Sequence, residues 1–149
     1  MKKIVTIILI LIINISSISA QKYTDLYIEE ANEIGLNWLN DINNNRYEKA
    51  YNLLAKEGKL KYQKETWIEL ISELMLEFGI ISQSDRSRTV INKFFKSEIE
   101  GMEDGFYVFI EYKSNYLNTN EHIEYLLLKQ NSKRKWEILD YSYEFTGKN

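Results

Sequence analysis

The sequence predicts an α+β domain in which N-terminal helices pack on a curved, four-stranded antiparallel sheet. Before Gly79, apolar residues recur at spacings of three and four, which is the period of amphipathic helices. After Gly79, apolar and polar residues alternate in four segments that short polar turns separate, as in a β-meander. Helices and strands that are segregated along a chain are typical of α+β folds.

Three helices are predicted. The first carries one apolar stripe, and the triplet Asn43–Asn45 interrupts it. Asn45 and Glu48 have the spacing of a capping pair, so a second helix is expected to begin there and to end near Gly58. The apolar stripe of the first helix consists of Tyr27, Ala31, Ile34, Trp38 and Ile42.

The third helix carries the longest apolar stripe, which we expect to be buried. Thr66 and Glu69 form a second capping pair at its start, and Gly79 stands where a C-cap residue with positive φ is expected. The stripe consists of Trp67, Leu70, Ile71, Leu74 and Phe78.

Four strands follow, and their turns contain Gly, Asn or Ser. Several of them carry apolar residues on both faces. We therefore expect the helices to cover one face of the sheet, and the other face to be an aromatic surface or a subunit contact. The predicted strands are Thr89–Lys96, Phe106–Ser114, Ile123–Lys129 and Trp136–Phe145.

The first 20 residues have the layout of a secretory signal peptide. Lys2 and Lys3 precede the apolar run Ile4–Ile13, and small residues lead to a cleavage site near Ala20. The run is about half of the roughly 20 apolar residues that span a bilayer, so no membrane insertion is expected after cleavage; the alternative is an uncleaved N-terminal anchor. The prediction is an exported protein, periplasmic or secreted, with residues 21–149 as a single domain.

Composition excludes several kinds of chemistry. The chain has no cysteine, so it forms no disulfide, no thiolate metal site and no thiol nucleophile. His122 is the only histidine, so a His-cluster metal site is excluded, and we predict neither a metal nor another cofactor. The formal net charge of −3 provides no general attraction to nucleic acid, and no nucleic-acid partner is expected.

An ordered set of residues resembles the exported bacterial family of domain of unknown function DUF4019. The set covers Ala31 to Tyr143, nearly the whole predicted mature chain, and the family usually has glycine where this sequence has Asp140. The resemblance implies a cystatin-like or nuclear-transport-factor-two-like cone, in which a curved sheet wraps a long helix, and it implies no activity. The set is Trp38-Leu39, Tyr47-x-x-Ala50-Tyr51, Trp67 before Gly79, Arg86, and Trp136-x-Ile138-x-x-Tyr141.

Asp140 is the one catalytic candidate. Strict alternation places it on the strand face of Trp136 and Ile138. If that face lines a cavity, the carboxyl group could act as a general acid or base among apolar groups. The alternative is a solvated residue or an ion pair with a lysine.

Aromatic residues on the strands are the binding candidates, because they offer large contact areas with polar tips. They suit a small ligand, a protein partner or a homodimer contact. Arg86 and Arg88 could grip a carboxylate or phosphate there, or could pair with acidic residues of the third helix. The aromatic candidates are Tyr107, Tyr112, Tyr125, Trp136 and Tyr141.

Three functions are therefore open. The first is an exported non-enzymatic binding or accessory domain that uses the aromatic face of the sheet. The second is a cone-fold enzyme with Asp140 as acid or base. The third is an envelope-associated interaction module that uses the acidic helix face Glu65–Glu77, where glutamates recur every four residues.

Overall fold

The computed structural model describes residues 25–95 and 103–147, so the predicted signal peptide lies outside the described residues. The chain forms two compact units, Met1–Glu30 and Ala31–Asn149. Of the first unit, residues 25–30 are described and are helical. No helix within the described ranges combines the length and the apolar character needed to cross a membrane.

Among the residues that the structure describes, four helices precede the sheet, one more than predicted. They are α1 (25–43), α2 (Tyr47–Asn52), α3 (Lys56–Lys61) and α4 (Lys64–Phe78), followed by a 3-10 turn at Gln83–Asp85. The predicted second helix is divided because Leu53–Ala55 leaves the helical path to pair with the sheet. The N–H of Ala55 donates to the carbonyl of Ile138 (2.7 Å), and the N–H of Ile138 donates to the carbonyl of Leu53 (2.9 Å).

Both predicted capping pairs are wrong. The N-cap of α2 is Arg46 and that of α4 is Gln63, and neither side chain makes a capping hydrogen bond. Asn45 instead adopts a left-handed conformation (φ 59°), and Thr66 lies inside α4. The expected C-cap is confirmed, because Gly79 ends α4 with φ 81°.

The sheet contains strands β1 (Arg86–Phe95), β2 (Phe106–Ser114), β3 (Thr119–Gln130) and β4 (Trp136–Gly147). They are antiparallel neighbours in the order β1-β2-β3-β4, so β4 is an edge strand. Helices followed by an open antiparallel sheet confirm the predicted α+β class.

One sheet face, here the inner face, packs on the helices. Val108, Ile110, Leu126 and Leu128 alternate along β2 and β3 and are buried there. They share the core with apolar residues of α1 and α4, which are Ala31, Trp38, Ile42, Ile71 and Phe78. The opposite, outer face carries Phe109 and Tyr125, whose rings stack with centroids 5.9 Å apart.

A β-bulge in β4 changes which residues face the core. Ile138 is opposite Leu128, but Asp140 is already opposite Leu127, so Leu139 is the extra residue. Tyr141 is therefore the residue that lies opposite the buried Leu126. Asp140 lies in the outer-face register, contrary to the strict alternation assumed from the sequence.

Candidate functional site

An open groove lies between α4 and β4, with α3 at one end. Its volume is about 320 Å³. The predicted stripe of α4 is only partly covered: Ile71 and Phe78 are buried, whereas Leu70 keeps 49% of its surface exposed. The groove is lined by Trp38, Leu54, Gly58, Lys61, Tyr62, Trp67, Leu70, Ile71, Leu74, Ile138, Leu139, Asp140, Tyr141 and Tyr143.

Packed aromatic rings fix the floor of this groove. The ring of Trp38 meets that of Tyr141 edge-on (5.2 Å between centroids) and lies 6.2 Å from Trp67. The indole N–H of Trp38 donates to the carbonyl of Ala50 (3.0 Å), which fixes the indole orientation. Because Trp38 is buried while Trp67 is half-buried, the groove has a rigid base and a partly solvated wall.

A buried ion pair lies beneath the floor. Arg86 at the start of β1 donates from Nε to Oε2 of Glu124 on β3 (2.8 Å), and the two side chains are 1% and 0% exposed. Arg86 is opposite Ser114 and Glu124 is opposite Tyr112, so the antiparallel register brings both charged residues to the inner face. Water is excluded from this pair, so protein groups must satisfy its remaining polar atoms.

Both carboxylate oxygens of Glu124 accept hydrogen bonds. Oε1 accepts from the hydroxyls of Tyr116 and Tyr141, both at 2.9 Å, and Oε2 also accepts from Ser114. Nη2 of Arg86 donates to Oδ1 of Asn43 and to the hydroxyl of Tyr116, both at 2.9 Å. Tyr141 therefore connects the groove, which it lines, to the enclosed ion pair.

These contacts decide the protonation states. Burial by itself would raise the pKa of Glu124, but the Arg86 charge and the donated hydrogen bonds outweigh burial and lower that pKa. Burial, followed by the Glu124 charge, raises the pKa of Tyr141 well above its ordinary value. At neutral pH the network therefore contains a carboxylate, a guanidinium and protonated phenols.

His122 is buried beside this network. Its Nδ1 lies 2.9 Å from the hydroxyl of Thr119, and its Nε2 has no hydrogen-bond partner among the described residues. The Phe78 ring packs edge-on against the imidazole, with 4.3 Å between ring centroids, and the Phe145 ring stacks on it, with 5.4 Å between centroids. Burial is the main cause that lowers the pKa of His122, so the imidazole is neutral at pH 7.

The predicted aromatic candidates do not share one face. Tyr112, Trp136 and Tyr141 belong to the inner face, whereas Tyr107 and Tyr125 belong to the outer face. The expected single aromatic surface is therefore divided by the sheet. Of these five residues, only Tyr141 lines the groove.

The polar candidates also separate. Arg86 and Arg88 share the inner-face register, as expected for a strand that begins at Arg86, but Arg86 is enclosed and Arg88 is exposed. Arg86 pairs with Glu124 rather than with the glutamates of α4. Asp140 is exposed at the edge of the groove, not enclosed among apolar groups.

Sequence reasoning missed Glu124, Ser114 and Asn43. A signal for Glu124 was present, because it is two and four residues before Leu126 and Leu128 and therefore on their face. Buried carboxylates are rare, so such a position is ordinarily interpreted as the solvated end of a strand. The partner, Arg86, lies 38 residues earlier, and no local pattern joins the two.

Comparison with known proteins gives one family. The family described as "Protein of unknown function (DUF4019)" matches residues 34–141, which is more than two thirds of the chain. No curated protein and no solved structure matches the chain significantly. Within residues 25–95 and 103–147, no group of three or more His, Asp or Glu side chains could hold a metal ion.

Proposed function

We propose that this chain, which belongs to the DUF4019 family of proteins of unknown function, is a non-catalytic binding domain whose site is the groove between α4 and β4. The observation that carries the proposal is the uncovered part of the α4 stripe. Leu70 is 49% exposed and Trp67 and Leu74 are half-buried, although all three belong to one apolar stripe. A concave surface lined mainly by aliphatic and aromatic side chains, with few polar groups, is typical of ligand sites.

The size and lining of the groove favour an apolar or amphipathic occupant. Ligand pockets have volumes of roughly 300–1,000 Å³, and a groove of about 320 Å³ is at the lower end of that range. Lys61 and Asp140 are the charged residues among its lining, with opposite signs. The occupant is a small molecule or an apolar segment of a protein, and nothing in the lining favours a strongly charged one.

Catalysis by Asp140 has less support. A general acid or base benefits from an enclosed position, and Asp140 is exposed. The carboxylate that is enclosed, Glu124, is saturated by Arg86 and three hydroxyl donors, which leaves it no free position for a substrate. These contacts favour a structural role for the network beneath a binding groove.

Self-association through the outer face has less support than binding in the groove. Phe109 and Tyr125 give that face an apolar centre, but Glu111 and Glu144 lie in the same face register. Lys113 lies in this register as well, so charged residues of both signs flank the apolar centre and make this face more polar than the groove. The acidic face of α4 also has less support as an interaction surface, because its glutamates are exposed, as on an ordinary solvated helix face.

Export remains part of the proposal. It rests on the charged, apolar and small-residue regions of residues 1–20. Expression with this leader in a bacterial host, followed by mass measurement of the exported product, tests it. A product beginning near Gln21 is expected, and a full-length product retained in the cell would contradict it.

Binding of the fluorescent probe 8-anilinonaphthalene-1-sulfonate tests the groove. Leu70 lines the groove, whereas Leu76, also on α4 and 79% exposed, is not part of this lining. We expect Leu70→Glu to weaken probe binding at least tenfold and Leu76→Glu to change it less than twofold. Equal effects of the two variants, or no binding to the unaltered protein, would contradict the proposed function.

A further inference from the structure

The groove contains a free strand edge. β4 is at the end of the sheet, and one side of it pairs with β3. On its other side, the segment Leu53–Ala55 adds as a short parallel bridge at Ile138. Beyond Ile138, no strand of residues 25–95 or 103–147 pairs with this side of β4. Unpaired backbone donors and acceptors at such an edge are a template for another strand.

That free edge and the apolar groove coincide. Leu139, Asp140, Tyr141 and Tyr143 of β4 form one wall, and Leu70 on α4 lies in the facing wall. An occupant of the groove must therefore lie alongside the strand edge. A small apolar molecule contacts the side chains there but cannot satisfy the backbone groups of the strand, whereas an extended polypeptide does both.

We infer that the occupant is an extended polypeptide segment, which adds beside Leu139–Tyr143 and continues the pairing that Leu53–Ala55 begins at Ile138. The inference rests on the proposed function and specifies the chemistry of its ligand. At about 3.3 Å per residue, this stretch of β4 accommodates roughly five residues of a partner. Alternate side chains of the partner point toward α4, so apolar residues are expected at every second position.

The chain supplies a matched pair of variants at Gly58. This residue lies inside α3 and lines the groove. A Cβ atom there would meet only Leu54, at 3.7 Å and beyond, so a methyl group can be added without a clash. Because Gly58 lines the groove, Gly58→Trp is expected to place an indole in it, whereas Gly58→Ala also replaces the glycine but leaves the groove open.

The probes are fluorescently labelled heptapeptides in which threonine alternates with Val, Leu, Phe or Tyr. Each peptide is compared with two N-methylated forms, one methylated on the odd amides and one on the even amides. An added strand uses only alternate amides, so we expect one form to lose at least tenfold in affinity and the other to stay within threefold. Gly58→Trp should weaken peptide binding at least tenfold, and Gly58→Ala less than twofold.

The outcomes separate the inference from the proposed function. Strand addition is overturned if both N-methylated forms bind with equal affinity. It is also overturned if no peptide binds while 8-anilinonaphthalene-1-sulfonate still binds the groove. Either result leaves the groove as a small-molecule site. If neither the peptides nor the probe bind, both proposals fail. Protection of the amides of Leu139–Tyr143 from hydrogen exchange by the peptide gives an independent positive result.

Discussion

Nε of Arg86 lies 2.8 Å from Oε2 of Glu124, and neither side chain is reached by solvent. The pair joins the first strand of the sheet to the third across β2, and the hydroxyl of Tyr141 extends it to β4. A charged pair of this kind is stable only when all its polar atoms are satisfied, so loss of one member leaves the other uncompensated.

Glu124→Gln is expected to destabilise the protein by about 3–5 kcal/mol, because the Arg86 charge remains buried without a counter-charge. Urea unfolding followed by tryptophan fluorescence measures the free energy of unfolding. Glu69→Gln, on the exposed face of α4, is the control and should change that energy by less than about 0.5 kcal/mol. Similar small losses for both variants would show that the buried pair does not support the fold.

Stability is expected to decrease as the pH falls from 7.5 to 5, because of His122. Burial holds the pKa of His122 in the folded protein below its ordinary value of 6.5. As the pH falls, the unfolded state therefore binds a proton before the folded state does, which stabilises the unfolded state relative to the folded one. The loss begins near pH 6.5 and levels off below the folded pKa. Glu124 contributes to the pH dependence at lower pH. Its pKa is lowered in the folded protein, so the stability that its carboxylate provides is lost only as the pH falls through that folded-state pKa.

The variant His122→Phe isolates this effect. It removes the titrating group and retains an aromatic ring between Phe78 and Phe145. The free energy of unfolding of the variant, measured in urea at several pH values, should change less between pH 7.5 and 5 than that of the unaltered protein. An unchanged pH dependence would assign the effect to other groups.

Two glycines should respond in opposite directions to substitution by alanine. Gly79 has φ 81° and ψ −163°, a conformation that is almost restricted to glycine, so Gly79→Ala should cost roughly 1–3 kcal/mol. The added Cβ would also lie 2.7 Å from Nδ2 of Asn118, which donates to the carbonyl of Glu77. Gly58→Ala, inside α3, should instead stabilise by roughly 0.5–1 kcal/mol. Melting temperatures that shift in the same direction would contradict this assignment.

The sequence predicts the fold class well, because periodicity reports which face of an element is apolar. Phe106–Ser114 is predicted with its observed limits, and the positive φ of Gly79 follows from its place after an apolar stripe. Periodicity cannot report what covers a face. Leu70 and Ile71 belong to the same predicted stripe, yet of these two only Ile71 is buried with the core residues Met75 and Phe78, whereas Leu70 lines the open groove.

The candidate site is less predictable, because it depends on register between distant segments. The bulge at Leu139 brings Tyr141 rather than Asp140 to the inner face, and nothing in the local sequence marks it. The pairing of Arg86 with Glu124 likewise needs two strand registers at once. The division of one helix by Leu53–Ala55 depends on hydrogen bonds to Ile138, more than eighty residues later.

The measurement that tests the binding groove most directly is a methyl-labelled NMR titration with 8-anilinonaphthalene-1-sulfonate. Leu70 and Leu74 line the groove, whereas Leu76 and Leu117 are exposed leucines that are not part of its lining. We predict that the methyl signals of Leu70 and Leu74 shift on addition of the probe and that those of Leu76 and Leu117 stay in place. Shifts centred on Leu76 or Leu117, or spread evenly over all four residues, would contradict a binding site between α4 and β4.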